Sequence, residues 1–274
     1  MTIDSTNSTI VKLKSSSKIN LGLWIKEKRP DGYHELETIF FENTNIYDDV
    51  EIEFVENHNL KIEVSFKQDS LNKKITQEDN LAYKSAKLFL ESIGKSGICK
   101  ININKNIPLE AGLGGGSSNA ALILKGLNTI FGNILREYEL LKLALKLGSD
   151  VPFFIIGKTC LGTGRGEILK PIENKIDLDI KIIKLENISV STKWAYEQID
   201  AREFIANHRN EIDNLILAIK TSNKKLLFKN IFNDFEMVVF SCFPELIKER
   251  KKLLDEGYMA CGLCGSGSAL FGIK

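Results

Sequence analysis

The chain has 274 residues, 43% hydrophobic and 27% charged, enough apolar material for one large domain or two ordinary ones, and two are expected. Its 37 Lys and Arg nearly balance 36 Asp and Glu, so no global field calls for nucleic acid or an anionic membrane, and any basic site has to be local. Met1 to Thr9 is polar with no signal-peptide pattern, no apolar run approaches a bilayer span, and five cysteines, an odd number, argue for a reducing, cytoplasmic setting.

Val11 to Lys14 and Lys18 to Ile25 alternate apolar and polar residues, the period of half-buried strands. In the second, Ile19, Leu21, Leu23 and Ile25 share one face, which puts Lys18, Asn20, Gly22 and Trp24 on the other. Taken alone, Lys18 reads as a solvated strand residue. Lys28 to Leu36 is a turn built on Pro30, Asp31 and Gly32, with Tyr33 and His34 at its exit. It is either an ordinary hairpin connection or a loop offering Tyr33 as a stacking platform and His34 as a hydrogen-bond partner. Val50 to Val55 and Leu60 to Phe66 read as strands paired with each other. Asn80 or Asp79 is placed to cap a helix carrying Leu81, Ala82, Ser85, Ala86, Phe89 and Ile93. Cys99, Ile101 and Ile103 then mark a short strand.

The densest glycine run, Gly112 to Asn119, follows Pro108, Leu109, Glu110 and Ala111 and feeds directly into the apolar helical stretch Ala120 to Leu127. Residues without Cβ let backbone N–H groups approach an anion, and the helix start adds free donors and the positive end of its dipole, so the run reads as a phosphate site. Ser117 and Ser118 can add hydroxyls or reach a metal ion. A Walker loop is excluded because Ser117 stands where Lys is needed, and a dinucleotide fingerprint because a polar, proline-broken loop leads in and the third glycine is missing. A flexible linker does not lead into an apolar helix.

A second helix is expected over Arg136 to Leu147, ended by Gly148. Asp150 stands beside Val151, Pro152, Phe153 and Phe154, where an acid is either a helix cap or a catalytic carboxylate. Leu161 to Glu167, glycine-rich again, reads as a hairpin or hinge. Beyond Lys170 come a strand over Asp177 to Leu185, a Ser189 to Thr192 cap for a helix with Trp194, Ala195 and Tyr196, and helices over Phe204 to Ile219, Lys224 to Phe232 and Pro244 to Glu256. Two short strands flank the Gly265 to Ser268 turn, a small-residue loop that can pack on the first. Cys261 and Cys264 have CxxC spacing but no second ligand pair, so packing is favoured over metal or redox use.

Together the stretches Lys18 to Leu21, Arg29 to Leu36, Ala111 to Ala121, Gly148 to Phe153 and Gly265 to Ala269 resemble the GHMP kinase superfamily. They are closest to its branch acting on a cytidine-diphosphate-linked methylerythritol in the non-mevalonate isoprenoid route. The resemblance implies an α+β fold with a ribosomal-protein-S5-domain-2-like N-terminal domain, residues 1–169, and a ferredoxin-like C-terminal domain, residues 170–274. It implies ATP-dependent phosphorylation of the substrate's 2-hydroxyl, with Mg²⁺ and ATP bound, no nucleic acid or membrane partner, and a monomer or homodimer. Residue by residue it makes Lys18 and Asp150 the catalytic pair and sets Asn20 at the erythritol end. Tyr33, His34 and Tyr196 fall at the cytosine, Asn80 near adenine, and Pro108, Leu109, Glu110, Ala111, Gly112, Leu113, Gly114, Gly115, Gly116, Ser117 and Ser118 at the ATP phosphates. No metal-coordinating residue is implied. The Asp31 to His34 loop separates this reading from homoserine or mevalonate kinases, and the presence of Lys18 and Asp150 separates it from a non-catalytic nucleotide binder on the same scaffold. The family pattern continues past the Gly265 to Ser268 turn with a helix and a strand that this chain lacks, which predicts an open edge on the last sheet.

Overall fold

The computed structural model describes residues 8–202 and 209–274. The chain forms two compact units that interleave along the sequence: residues 1–17, 46–107 and 115–156 make the first, and residues 18–45, 108–114 and 157–274 the second. The chain passes from one to the other within its two longest strands, β1 (Ser8–Lys28) and β2 (His34–Glu56).

β1 is a single strand where two were expected, because its middle serines are held in the sheet rather than looped out. Ser15 and Ser17 are buried, and the Ser15 hydroxyl donates to Ser118 Oγ at 2.7 Å. The first unit continues with β3 (Lys61–Phe66), the short α1 (Asp69–Lys74), α2 (Leu81–Ser92), β4 (Gly97–Asn104), α3 (Gly115–Ile130), α4 (Glu137–Leu147) and α5 (Val151–Ile156). The expected pairing of β3 with β2 does not form. β4 lies between them, antiparallel to β2 from Asp49 opposite Asn104 and parallel to β3 from Lys61 opposite Ile98. The alternation of β4, with Cys99, Ile101 and Ile103 on its buried side, records which face is covered and not which neighbours the strand takes. Gly126 of α3 lets that helix lie close on the sheet, since a Cβ there would stand 2.6 Å from Ile52 and 2.9 Å from Leu13. At the start of α4 Glu139 accepts from the Arg136 N–H, and the helix stops at Gly148 as expected.

The second unit adds β5 (Cys160–Thr163), β6 (Ile168–Pro171), β7 (Ile180–Ile183), α6 (Thr192–Asp200), α7 (Arg209–Thr221), α8 (Lys224–Asn230), β8 (Phe232–Asn233), α9 (Phe235–Cys242), α10 (Pro244–Asp255), β9 (Ala260–Leu263) and β10 (Leu270–Ile273). β5 and β6 form the hairpin read from the glycine cluster, and β5 joins β2 at Thr38 to Phe40, while β8 runs parallel to β1 at Gly22 and Leu23. A separate sheet has the order β7-β10-β9. Ser191 caps α6, its hydroxyl accepting from the Trp194 N–H at 3.1 Å. The helix expected from Phe204 is described only from Arg209, and residues 204–208 lie outside the described residues. The edge strand β9 is buried along its whole length, against a core that includes Phe235, Val239, Leu246 and Leu253.

Candidate active site

In the second unit, Lys18 is 4% exposed, so β1 buries it rather than presenting it to solvent. Its ammonium donates to Asn20 Oδ1 at 2.7 Å, Asn20 Nδ2 donates to Thr38 Oγ1 at 2.7 Å, and the Thr38 hydroxyl donates to the Gly22 carbonyl at 2.7 Å. Every group in this relay faces a partner of opposite sense, which fixes which way the Asn20 amide points. Thr38 is a site residue that sequence reasoning missed; it sits on β2, distant in sequence, and nothing local marks it.

The first part of the glycine loop is tied to the backbone of the same residue. The Lys18 N–H donates to the Leu113 carbonyl at 3.0 Å. Gly112 takes φ +74°, and a Cβ on it would stand 1.7 Å from the Cys264 carbonyl oxygen. Only glycine fits there, on steric and conformational grounds together. The Ala269 N–H donates to the Ala111 carbonyl at 3.3 Å, and a Cβ on Gly265 would lie 3.2 Å from Lys18 Nζ. The small-residue turn therefore packs on the glycine loop as expected, and Lys18 lies where the two meet. Lys184 donates to the Leu109 carbonyl, and the Ser189 hydroxyl donates to Glu110 at 2.8 Å, where Glu110 holds a left-handed φ of 51°. Neither Lys184 nor Ser189 was legible as a loop strap. The thiol of Cys264 is pushed up to about 12 by burial, with the Lys18 charge opposing, so it stays a protonated packing group.

Also in this unit, the Arg29 to His34 turn closes with the Arg29 N–H on the Tyr33 carbonyl at 2.7 Å and Gly32 at φ +86°. Tyr33 is 55% exposed, and the Arg165 guanidinium lies 4.5 Å from its ring centre. His34 is buried, its Nε2 2.7 Å from Asp200 Oδ1, and the Tyr196 ring stacks on the imidazole with centroids 5.0 Å apart and planes at 10°. Tyr196 in turn meets Phe235 edge-on at 5.0 Å. His34 and Tyr196 thus come together, whereas the ring on Tyr33 is partnered by Arg165, a residue sequence reasoning left inside a hairpin.

In the first unit, Asn80 caps α2, its Oδ1 accepting from the Ala82 N–H at 2.9 Å. α2 and α3 adjoin at their starts, a Cβ on Gly116 standing 3.7 Å from Leu81 Cδ1. Asn80 and the second half of the glycine run, Gly115 to Ser118, are therefore brought together, and the run forms the first turn of α3 with its unpaired N–H groups. Asp48, fully buried, pairs with Lys105 at 2.5 Å and accepts from the Asn106 and Ile107 N–H groups, which sets the chain's approach to that turn. Asn119 Oδ1 is buried with no hydrogen-bond partner among the described residues. Asp150 is half-buried in the turn just ahead of α5, whose Val151, Pro152 and Phe153 are buried.

The N-terminal domain model of the GHMP kinases matches residues 80–158, and their C-terminal model matches residues 215–274. A 4-diphosphocytidyl-2-C-methyl-D-erythritol kinase from Caldicellulosiruptor bescii is 37% identical over 263 residues, covering 96% of this chain and 89% of the relative. The chain belongs to that kinase family. A second member, from Clostridium tetani, is 38% identical over 264 residues, 96% of this chain and 90% of the relative. A crystal structure of a 4-(cytidine 5'-diphospho)-2C-methyl-D-erythritol kinase matches with a TM-score of 0.77 at 31% identity, over 96% of this chain and 90% of that one. Homoserine kinase from Cytophaga hutchinsonii shares the fold at 18% identity, with a TM-score of 0.75 over 100% of this chain and 87% of its own. The chain is a kinase of the GHMP fold, and its family uses ATP. Among the described residues no helix is long and apolar enough to cross a membrane.

Proposed function

We propose that this kinase transfers the γ-phosphoryl group of ATP to the 2-hydroxyl of 4-diphosphocytidyl-2-C-methyl-D-erythritol. The observation that carries the reading is the buried Lys18 ammonium, set beside Gly265 on a strand whose Lys18 N–H holds the glycine loop through Leu113. A cation so fixed suits the equatorial oxygens of a transferring phosphoryl group, where charge develops. Asp150 accepts the proton of the attacking hydroxyl. Asn20 orients that alcohol, and the relay through Thr38 keeps the amide from turning. The backbone N–H groups at Gly115 to Ser118 bind the β- and γ-phosphates, and Asn80 borders the adenine.

Tyr33 offers its exposed ring to the pyrimidine, and the stacked pair of Tyr196 and His34 borders it. No group of three or more His, Cys, Asp or Glu side chains among the described residues is arranged to hold a metal ion. The Ser117 hydroxyl, in the first turn of α3, would be the protein's contact to an Mg²⁺ ion brought in with the ATP phosphates. Bound there, Mg²⁺ neutralises phosphate charge and helps align the chain of phosphates. Two polyanionic substrates and free thiols at Cys99, Cys160, Cys242, Cys261 and Cys264 suit the cytoplasm.

The test is incubation with Mg-ATP and a panel of alcohols: the cytidyl erythritol, homoserine and mevalonate. ADP release with the cytidyl erythritol alone is expected; release only with another alcohol moves the assignment to a sister kinase.

A further inference from the structure

In the first unit, the crossover between β3 and α2, residues 67–80, is joined to the sheet by side chains. β3 ends the sheet order β3-β4-β2-β1-β8, so one edge of it carries no strand among the described residues. On that edge Gln77 Oε1 accepts from the Val64 N–H at 3.2 Å, while its Nε2 donates to the Val64 carbonyl at 2.9 Å. Two residues along, Asn72 holds Phe66 in the same way, Oδ1 accepting from the N–H at 2.7 Å and Nδ2 donating to the carbonyl at 2.8 Å. Just past β4, Gln68 repeats the arrangement on Lys105, accepting from its N–H at 3.2 Å and donating to its carbonyl at 2.8 Å. A carboxylate only accepts and an ammonium only donates, whereas a primary amide does both from adjacent atoms, as a peptide group does. The amides therefore stand in for the backbone of a neighbouring strand, and they cover an edge that is otherwise open to pairing.

We propose that Gln77 and Gln68 are positioning residues for the nucleotide: their clips set Asn80 on one side and the approach to the glycine run on the other. The proposal rests on the reading that Asn80 and the turn Gly115 to Ser118 border ATP. Gln77 connects strand to cap, because its side chain holds Val64 while its own carbonyl accepts from the Asn80 N–H at 3.2 Å. The turn between them has little slack. The Thr76 hydroxyl donates to Asp79 Oδ2 at 2.7 Å and accepts from the Asp79 N–H at 3.3 Å, so a displacement of Gln77 is passed on to Asn80. Asn80 in turn caps α2 through Ala82. Gln68 acts at the other end. The Lys105 that it holds by the backbone sends its ammonium to buried Asp48, and Asp48 fixes the Asn106 and Ile107 N–H groups. A Cβ on Gly115 would lie 3.1 Å from Lys105 Nζ, which places that ammonium at the start of α3. Asn72 differs from both glutamines: its two bonds end on Phe66, and neither leads on to Asn80 or to Lys105. It is the internal control, a clip on the same edge without a route to the nucleotide.

Gln77→Leu, Gln68→Leu and Asn72→Leu remove the amides at similar volume. In ligand-free protein, hydrogen exchange is expected to quicken by about tenfold or more at Val64, Lys105 and Phe66 respectively. Wild-type exchange at Val64 in Gln77→Leu overturns the clip without reference to any nucleotide. The Kd for Mg-ATP, read by calorimetric titration, is expected to rise about fivefold or more in Gln77→Leu and Gln68→Leu, the scale of one or two hydrogen bonds, and to stay within about twofold of wild type in Asn72→Leu. Gln77→Glu keeps the acceptor and loses the donor, and is expected to fall between wild type and Gln77→Leu in both measurements. A wild-type Kd in either glutamine variant, or an equal loss in all three leucine variants, overturns the proposal, since a purely structural clip does not distinguish Asn72 from the others. Asn80→Ala separates the proposal from the reading beneath it. A raised Kd there beside a wild-type Kd in Gln77→Leu leaves the reading standing and sinks the proposal alone. An unchanged Kd in Asn80→Ala removes Asn80 from the nucleotide and, with it, the route assigned to Gln77.

Discussion

The Lys18 ammonium can donate three hydrogen bonds, and Asn20 takes one of them only because its own amide is held from behind by Thr38. Thr38→Val keeps the shape of that side chain but removes the hydroxyl that accepts from Asn20 Nδ2 and donates to the Gly22 carbonyl. It is expected to lower stability by about 1 to 3 kcal/mol in urea unfolding. If Asp150 is the proton acceptor, Asp150→Asn removes about 2.7 to 5.4 kcal/mol of transition-state stabilisation, read as a 10²- to 10⁴-fold drop in kcat with folding intact. Turnover near wild type would refute that role. At this scale the roles proposed for Lys18 and Asp150 come only from the family resemblance, since a lone lysine on an alternating strand and an acid before a short helix each have a bland explanation. Thr38, Arg165 and Asp200 were not legible at all. Each acts on a residue far from it in sequence, and such a partnership leaves no mark on the composition around either member.

Glycine runs, by contrast, announce themselves locally, because backbone conformation and the absence of Cβ are properties of the residue itself. The predictions for the loop accordingly separate its two halves. Gly112→Ala drives a Cβ into the Cys264 carbonyl at a left-handed φ and is expected to destabilise the fold by roughly 2 to 5 kcal/mol, measured as a lowered urea midpoint. Gly116→Ala meets only Leu81 at ordinary van der Waals distance, so stability holds or rises by up to about 1 kcal/mol as α3 gains a better helix former. If the phosphates approach this turn as proposed, its effect is instead a raised KM for ATP. Helices with caps and clear apolar spacing, α2, α3, α4 and α6, were readable for the same local reason. The pairing of β3 with β4 was not, because a strand's period records which side is buried and not which neighbour it lies beside.

Across the whole molecule four of the five cysteines behave as small apolar groups. Burial pushes the thiols of Cys99 and Cys264 up to about 12 and that of Cys160 to about 11, and Cys261 is also raised and buried, whereas Cys242 is exposed. A disulfide-exchange reagent at pH 8 is expected to titrate one thiol rapidly in native protein and five after denaturation. Rapid reaction of Cys261 or Cys264 would show that the CxxC spacing is more than packing. Two domains meeting near Lys170 were expected from the one change of sequence texture, whereas the two compact units interleave along the chain. The same interleaving has a consequence for synthesis. Ala111 and Gly112 are seated on Ala269 and Cys264, so a nascent polypeptide lacking those late residues has made its glycines but has nothing to shape them against. If nucleotide affinity needs that shaped stretch, a prematurely released fragment ending before Cys264 is expected to bind ATP weakly or not at all.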